Sequence, residues 1–372
     1  MAISLQHAGE FTVALANELL AQRLGEAITA VQVTPLGEGV GLMSSIGRAA
    51  ITLASGKETS VVLKVIAQTE NVSISKQLNF YANEIDFYRH LSPLCPIRSP
   101  ECYFADIDPE TQDFLLILED LGAAAAGDQL KGCDEGLMLQ GFEKAAQLHG
   151  RFWGKTDQYP WLRFQNVPEV NQFRQDVVFR PGVAPTLAAF PEYFTGDLAE
   201  VVTQIGENFV SIFERAMAGT QTVIHGDYRI DNMLLPVVDG EIEIVAVDWQ
   251  NTTGGRGPHD IAYFSSQSCG PEMRGAPEMA ALRRYHEILM DEGVKDYSFD
   301  QCLEDFRVNL MITMITPIAI IGTMDSGNER GVELGRVILE RGLSSLAAMD
   351  CGSLLKELKP VSYTHLRAHE TR

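Results

Sequence analysis

The chain has 372 residues, of which 45% are hydrophobic and 21% are charged, and its formal net charge is −21 at pH 7. This length is enough to bury a large core and predicts two domains or lobes in a soluble globular protein. Because a strongly negative surface repels nucleic acid and anionic membranes, the charge argues against both as partners.

The six cysteines lie far apart, with no Cys-x-x-Cys pair and no histidine pair beside them. They indicate neither a zinc site nor a disulfide framework, and a reducing cytoplasm is the expected location. No basic segment leads into an apolar run at the N-terminus, so we do not expect a secretory signal.

Strands are expected to dominate the first lobe, residues 1–121, after one or two amphipathic helices within residues 1–30. A strand at 31–33 leads into a loop rich in glycine and serine, and strands 49–53 and 60–66 form a hairpin. Backbone amides of such a loop can cover phosphate groups, although an ordinary loop is the alternative. The loop residues with this predicted role are Gly37, Gly39, Gly41, Ser44 and Ser45.

Lys64 lies within the apolar strand 60–66, where a charge is costly unless an anionic partner is present. Glu84, on a predicted helix with apolar neighbours, could be that partner. A solvent-facing lysine on an edge strand and a surface glutamate are the alternative. A further apolar strand ends the lobe, and its last residues, Glu119 to Leu121, would offer backbone groups to a nucleotide base.

The second lobe, residues 122–359, is predicted to be mainly helical. An alanine- and glycine-rich connector at 122–127 opens it, and 137–153 has helical periodicity. The apolar run 308–324 is short for a membrane span and is interrupted by polar residues and Pro317. We therefore expect a kinked core helix there.

The last residues, 360–372, differ in composition from the rest of the chain. They hold two of the eight histidines and Glu370 as their one acid, in an otherwise acidic protein. They resemble translated sequencing-adapter read-through more than a native C-terminus. We predict a non-native tail and exclude it from the fold prediction.

The residues with the clearest chemistry form the HGD loop, residues 225–232, with the sequence His-Gly-Asp-Tyr-Arg-Ile-Asp-Asn. Asp248 follows, at the end of an apolar strand predicted over 241–247. This spacing suits phosphoryl transfer, because one acid can take a hydroxyl proton while the other acid and the amide hold Mg²⁺ on ATP phosphates. We predict Asp227 as the base and Asn232 and Asp248 as metal ligands. Turn formation and the end of a strand are the alternative roles.

The order of these parts along the chain supports the catalytic interpretation. A glycine loop, a strand lysine, a helix glutamate, an apolar hinge, an Asp-x4-Asn loop and a strand aspartate follow one another as in protein-kinase-like nucleotide sites. In such a site Lys64, held by Glu84, would contact the α- and β-phosphates.

These residues resemble the aminoglycoside phosphotransferase and choline kinase superfamily, and most closely its ecdysteroid-kinase-like and bacterial phosphotransferase branches. The HGD loop looks like the superfamily's catalytic loop, and the segment 247–250 looks like its metal motif. Residues 257–263 are similar to the following segment, where Asp260 would bond the catalytic-loop backbone. Residues 148–153 resemble the helix that precedes the loop, a structural feature.

The resemblance implies a fold class, cofactors and a reaction. The fold would be α+β and protein-kinase-like, with an antiparallel-sheet N-lobe and a mainly helical C-lobe. The cofactors would be ATP and Mg²⁺, and the acceptor would be the hydroxyl group of a small molecule.

Three departures disfavour a protein kinase. Gly226 stands where protein kinases carry arginine, Gln250 stands where they carry glycine, and no Ala-Pro-Glu segment follows. We predict a small-molecule kinase; a nucleotide-binding pseudokinase with a regulatory role and, after it, a protein kinase are the alternatives.

The acceptor and the oligomeric state stay open at this stage. Aromatic residues of the second lobe would line an apolar acceptor site, such as one for a sterol-like alcohol, or would pack in the core. These residues are Trp161, Phe164, Phe173, Phe179, Phe190, Tyr193 and Phe194.

Overall fold

A computed structural model of the chain describes residues 5, 7–36, 44–67, 72–122, 124–162, 167–323 and 329–358. The chain forms two compact units. The first consists of Met1–Ala126 with Asn232–Thr252, and the second consists of Gly127–Asp231 with the chain from Thr253 onward. This division differs from one made by chain order at residue 121, because the hairpin that follows the HGD loop belongs to the first unit. The predicted tail, 360–372, lies outside the described residues.

An antiparallel five-stranded sheet is the main feature of the first unit, with strand order β1-β2-β3-β5-β4. Its strands are β1 (Ile28–Pro35), β2 (Ser44–Leu53), β3 (Glu58–Ile66), β4 (Cys102–Ile107) and β5 (Phe114–Glu119). The predicted hairpin is present as β2 and β3, whose β-branched and apolar residues favour a half-buried strand. Their inward side chains form one core with the first helix; it includes Leu20, Ile51, Leu63, Leu115 and Ile117.

Three helices accompany this sheet: α1 (Val13–Leu24), α2 (Val72–Gln77) and α3 (Phe80–Asp86). The Thr12 hydroxyl accepts the N–H of Leu15 and caps the start of α1, while Gly25, with φ of 76°, ends it. The last of the three helices continues into a π-helical turn, Phe87–Leu91. This continuous stretch carries Glu84.

The remaining strands are β6 (Ala125–Ala126), β7 (Thr222–Ile224), β8 (Met233–Leu235), β9 (Val237–Val238), β10 (Glu241–Ile242), β11 (Val245–Ala246) and β12 (Thr253–Gly255). In the first unit β11, β8 and β6 form a sheet in that order, and β9 pairs with β10. The prediction of one strand over 241–247 was wrong. The strand breaks at Glu243 and Ile244 because the chain changes its partner from β9 to β8.

Helices make up most of the second unit, in which β7 and β12 form a two-stranded sheet. The helices are α4 (Glu135–Phe152), α5 (Pro168–Phe173), α6 (Arg180–Ala189), α7 (Leu198–Glu207), α8 (Phe209–Ala216), α9 (Pro258–Ser268), α10 (Ala276–Asp291), α11 (Phe299–Thr313), α12 (Ile315–Thr323), α13 (Glu329–Ala348) and α14 (Cys351–Glu357). A π-helical segment, Arg174–Phe179, joins α5 to α6. The predicted α+β class, with a sheet-rich first part and a helical second part, is confirmed.

Residues 308–323 of the apolar run lie in α11 and α12, which separate at Met314. One helical stretch of the described residues, Phe299–Gly322, is long and apolar enough to cross a membrane, and 67% of its most apolar window is buried inside the protein. Such burial is typical of a core helix, which agrees with the sequence interpretation.

Candidate active site

Lys64 is the centre of a buried ion-pair cluster in the first unit. Its side chain projects from β3, the middle strand of the five, and the residue is 7% exposed. Its Nζ atom donates to Glu84 Oε1 at 2.9 Å and to Asp248 Oδ1 at 2.8 Å. The predicted pairing of Lys64 with Glu84 is therefore present, and the edge-strand alternative does not describe this lysine.

Burial and charge act in opposite directions on this cluster. Burial alone would lower the pKa of Lys64, but the negative charges of Asp248 and Glu84 outweigh it and hold that pKa above its ordinary value. Burial raises the pKa of Glu84, and the Lys64 charge offsets this only in part. The lysine is therefore a fixed cation at neutral pH, as a phosphate-binding group must be.

The loop that carries Asp248 is held in place by packing around its neighbour Trp249. The Trp249 ring is fully buried and stacks on Phe87, with ring centroids 3.9 Å apart and planes 6° apart. Asn83 Nδ2 donates to the Gln250 carbonyl at 3.2 Å. Asp248 itself has a φ of 62°, a left-handed conformation that aspartate tolerates better than most residues. The helical stretch and the loop are thus fastened to each other at the two residues that follow Asp248.

Asn232 immediately precedes β8, the strand that pairs with β11 shortly before Asp248. Its carbonyl accepts the Val247 N–H at 2.9 Å, next to the pairing of Met233 with Ala246. The backbone therefore brings Asn232 beside the residue that precedes Asp248. Among the described residues no group of three or more His, Cys, Asp or Glu side chains is arranged to hold a metal. A carboxylate and an amide oxygen nevertheless fit Mg²⁺, which takes few protein ligands when substrate phosphates supply the rest.

Of the predicted phosphate loop, Gly37, Gly39 and Gly41 lie outside the described residues. Ser44 and Ser45 begin β2, and the Ser44 hydroxyl is buried with no hydrogen-bond partner in the described part of the protein. A buried hydroxyl normally has a partner, so this atom fits a ligand that accepts or donates a hydrogen bond there.

The predicted hinge residues are tied to their neighbours. Glu119 pairs with Arg98 at 3.1 Å and accepts the Glu101 N–H at 3.1 Å. The Leu121 carbonyl accepts the Ala124 N–H at 2.9 Å. These contacts fix the end of β5, and no contact with a nucleotide base follows from them.

Asp227 belongs to the second unit, in the part of the HGD loop that lies between β7 and residue 231. Asp260, on α9, accepts the His225 N–H at 2.7 Å and the Gly226 N–H at 2.9 Å. The contact between Asp260 and the loop backbone, implied by the resemblance, is thus present. Gly226 has a φ of 80°, so a side chain at this position would be strained.

A buried histidine completes this support. His149 of α4 is fully buried, with Nε2 3.1 Å from Asp260 Oδ2 and Nδ1 2.8 Å from the Tyr285 hydroxyl. Burial would raise the pKa of Asp260, but the hydrogen bond and charge of His149 outweigh it and lower that pKa. A carboxyl group with a lowered folded-state pKa stabilises the fold above its unfolded value of 3.8, and that contribution is lost as the pH falls further.

Arg229 holds the carboxylate of Asp227 from within the loop. Its Nε atom lies 3.1 Å from Asp227 Oδ1, and its Nη1 atom donates to Gln129 Oε1 at 2.6 Å. The Gln129 N–H donates in turn to Asp231 Oδ1 at 2.5 Å. Tyr263 forms a hydrogen bond with Asp227; burial, and then the Asp227 charge, raise the pKa of this tyrosine. Asp227 therefore lies between a fixed cation and a protonated hydroxyl group.

Sequence reasoning missed Gln129, Tyr263 and the role of His149. Arg229 could have been suspected, since a cation two residues from a predicted base is a signal in itself. Gln129 carried no such signal, because it meets Arg229 across 100 residues of chain.

The sequence profile of the ecdysteroid kinase-like family matches residues 38–296, more than half of the chain. The chain belongs to the ecdysteroid kinase-like family. An uncharacterized kinase-like protein of Caenorhabditis elegans is 24% identical over 262 residues, which are 67% of each chain.

Solved structures share the fold. Choline kinase from Cryptosporidium parvum superposes with a TM-score of 0.55 and 13% identity, over 93% of this chain and 98% of that one. An aminoglycoside phosphotransferase from Alicyclobacillus acidocaldarius gives a TM-score of 0.51 and 12% identity, over 91% and 97%. The protein-kinase-like fold implied by the resemblance is confirmed. Family and fold together support a phosphotransferase of the small-molecule kinase type.

Proposed function

We propose that this protein is an ATP- and Mg²⁺-dependent kinase that phosphorylates a hydroxyl group of a small molecule. Asp227 would accept the hydroxyl proton, Asn232 and Asp248 would hold the metal, and Lys64 would hold the phosphates. The observation that carries the proposal is the buried Lys64, bonded to Glu84 and Asp248 together.

A structural role explains this cluster less well. Taking a lysine and two carboxylates out of water is expensive, and apolar residues of similar volume usually serve stability as well or better. A cation that is oriented before the substrate arrives has a direct use, because it can stabilise phosphate charge without reorganising. The Ser44 hydroxyl, which has no hydrogen-bond partner among the described residues and lies in the strand next to that of Lys64, supports a ligand on the same strands.

The residues around Asp227 suit proton transfer from an alcohol. Its carboxylate is held by Arg229 and Tyr263, and its backbone by the bonds of Asp260 to the two preceding residues. A base that is fixed in one orientation loses no freedom when the acceptor binds. Mg²⁺, when bound by Asn232 and Asp248, would neutralise phosphate charge during transfer.

Related structures support the nucleotide and the class of acceptor. APH(2")-IIia was solved with GDP and kanamycin, at a TM-score of 0.51 and 14% identity over 87% of this chain and 97% of that one. A nucleoside triphosphate donor and a small-molecule acceptor follow by analogy. ATP is the donor we propose, and a parallel assay with GTP decides between the two.

The test measures phosphate transfer from γ-labelled ATP to a library of alcohols. We expect Asp227→Ala and Asp248→Ala each to lose activity by about a hundredfold or more, because each removes a charge-stabilising group. Glu192→Ala, which removes an exposed carboxylate of the second unit, is the matched control and should keep full activity. Chelation of Mg²⁺ should abolish transfer. Unchanged transfer by both variants would remove the assignment, and ATP binding that ignores Mg²⁺ would favour a pseudokinase.

A further inference from the structure

We infer that Arg174 binds an anionic group of the acceptor, so that the substrate is an alcohol that also carries a carboxylate or another oxyanion. This inference rests on the proposed function and names its substrate class. The contacts that carry it all lie within the second unit.

The Arg174 guanidinium is a half-buried cation with no counter-charge among the described residues. Its Nη1 atom donates to Asn171 Oδ1 at 3.2 Å, and its Cζ atom lies 5.5 Å from the centroid of the Phe213 ring. No carboxylate of the described residues pairs with it, although the chain has 50 acids against 29 lysines and arginines. Burial lowers its pKa, and none of the carboxylates in the described ranges offsets that effect. Charges that are partly removed from water normally have partners, so the Arg174 guanidinium suits an oxyanion of a ligand.

A neighbouring arginine shows the ordinary arrangement. Arg180 follows on the same helical stretch, where it lies 2.9 Å from Asp176 and 3.1 Å from Glu207. Surface arginines of this acidic protein thus find acids readily. Arg174 and Arg180 therefore differ in their position in the fold, and the number of acids in the protein does not explain the difference.

The backbone at Arg174 gives a second, independent indication. Arg174 is the first residue of the π-helical segment Arg174–Phe179. π-Helical turns are rare, have weaker hydrogen bonding than α-helix, and occur often at functional sites. At the first residue of this segment the guanidinium lies over the Phe213 ring.

Arg174 is connected to the predicted base through two aromatic side chains. Its positive charge reaches His259 and, with burial as the main cause, lowers the pKa of that histidine. The His259 ring lies over Tyr263, with centroids 6.2 Å apart and planes 24° apart. Tyr263 in turn bonds Asp227. A neutral histidine, His259, therefore separates Asp227 from Arg174. One acceptor that carries both a hydroxyl group and an oxyanion could contact both residues.

The charges near Asp227 disfavour a cationic acceptor. Asp227 and Asp231 both face Arg229, at 3.1 Å and 3.9 Å. A positively charged acceptor would have to compete with Arg229 for these carboxylates and would also be repelled by Arg174. An anionic acceptor would meet the Arg174 guanidinium, and a guanidinium can bind an oxyanion through two parallel N–H groups.

The test uses matched sets of ligands: short- and medium-chain hydroxy acids, their primary amides, the corresponding amino alcohols, and hydroxyalkyl phosphonates. Binding is measured by calorimetry on the full chain without nucleotide, and transfer is measured separately with ATP. We expect wild type to bind its preferred acid about tenfold to a hundredfold more tightly than the amide. Arg174→Ala should remove that difference and leave amide affinity unchanged, Arg174→Lys should restore part of it, and Arg180→Ala should have no effect.

Each outcome decides the inference. Equal binding of acids and amides by wild type, preference for amino alcohols, failure of every anionic compound to bind, or an acid preference that survives Arg174→Ala would overturn it. The wild-type comparison decides even if Arg174→Ala fails to fold, and Arg174→Lys provides the folded variant. Acid-selective binding that depends on Arg174 without any phosphate transfer would refute the proposed kinase and leave the anion site standing. The phosphonates distinguish a phosphate-bearing acceptor from a carboxylate-bearing one.

Discussion

The Lys64 ammonium group bonds two carboxylates, those of Glu84 and Asp248. Glu84 is 2% exposed, whereas the Asp248 side chain is 31% exposed, so the two partners are not equivalent. Glu84 can only act as a permanent partner inside the protein. Asp248 is accessible enough to exchange lysine for another cation, which is the behaviour that a metal ligand requires.

Substitutions in this cluster should have unequal effects on stability. Lys64→Met leaves Glu84 and Asp248 facing one another without a cation, so we expect a loss of about 3–5 kcal/mol in the free energy of unfolding. Glu84→Gln leaves Lys64 with Asp248 and should cost clearly less. Urea unfolding followed by circular dichroism measures both values.

Lys57→Met, at an exposed turn between β2 and β3, is the control and should change stability by no more than about 0.5 kcal/mol. A smaller loss for Lys64→Met than for Glu84→Gln would contradict the view that one lysine neutralises two carboxylates.

At the scale of elements, a short strap, residues 127–133, holds the HGD loop. Gln129 bonds Arg229 and Asp231, and its carbonyl accepts Arg341 Nη1 at 2.5 Å. A Cβ atom at Gly127 would lie 2.0 Å from the Ile230 carbonyl oxygen, so only glycine allows this approach. The strap has no catalytic group of its own, but it fixes the residues that follow the proposed base.

Removal of the Gln129 side chain should loosen that support. We expect Gln129→Ala to lower kcat about tenfold while changing KM for ATP little, because Arg229 would lose the bond that orients it toward Asp227. Stability should fall by about 1–3 kcal/mol, the usual penalty for leaving a buried partner unsatisfied. Steady-state kinetics and urea unfolding measure the two effects.

Gln204→Ala removes a half-exposed glutamine that bonds Glu200 on α7, and it should leave both quantities unchanged. If Gln129→Ala lost stability but kept full kcat, the strap would be a structural feature only.

At the scale of the whole molecule, the sequence predicted features that follow local rules. A lysine in an apolar strand needs an acid, and Glu84 on the next apolar helix was available. The hairpin of β2 and β3 and the helix around 137–153 follow from periodicity alone. These parts of the fold and of the site can be predicted from the sequence alone.

Other features depend on where distant segments meet. The strand expected over 241–247 breaks because two different strands pair with its halves, which no local pattern encodes. Gln129 and Tyr263 acquire their contacts with the HGD loop only through the packing of α9 and the strap. Of the aromatic residues considered for an acceptor site, Phe179 is fully buried whereas Phe173 is 57% exposed, a difference that composition could not reveal.

The net charge of −21 has its own consequence for stability. Mutual repulsion of excess carboxylates opposes the compact state, and dissolved salt screens it. We expect a rise from low salt to about 0.2 M sodium chloride to raise Tm at pH 7 by about 1–2 °C for each 1 kcal/mol of relieved repulsion. Calorimetric scans at both salt concentrations measure the shift.

Near the isoelectric point of about 4.7 the same change in salt should have little effect on Tm, which provides an internal control. A salt effect of equal size at both pH values would contradict the repulsion account.

The first unit is made of two stretches of chain that are separated by 105 residues, 127–231. During synthesis, β6 therefore cannot pair with β8 until the intervening stretch has left the ribosome. At about 5–20 residues per second the delay lasts about 5–20 s. For that interval the nascent polypeptide exposes an unfinished strand edge, and its cotranslational folding follows an order that differs from the order of synthesis.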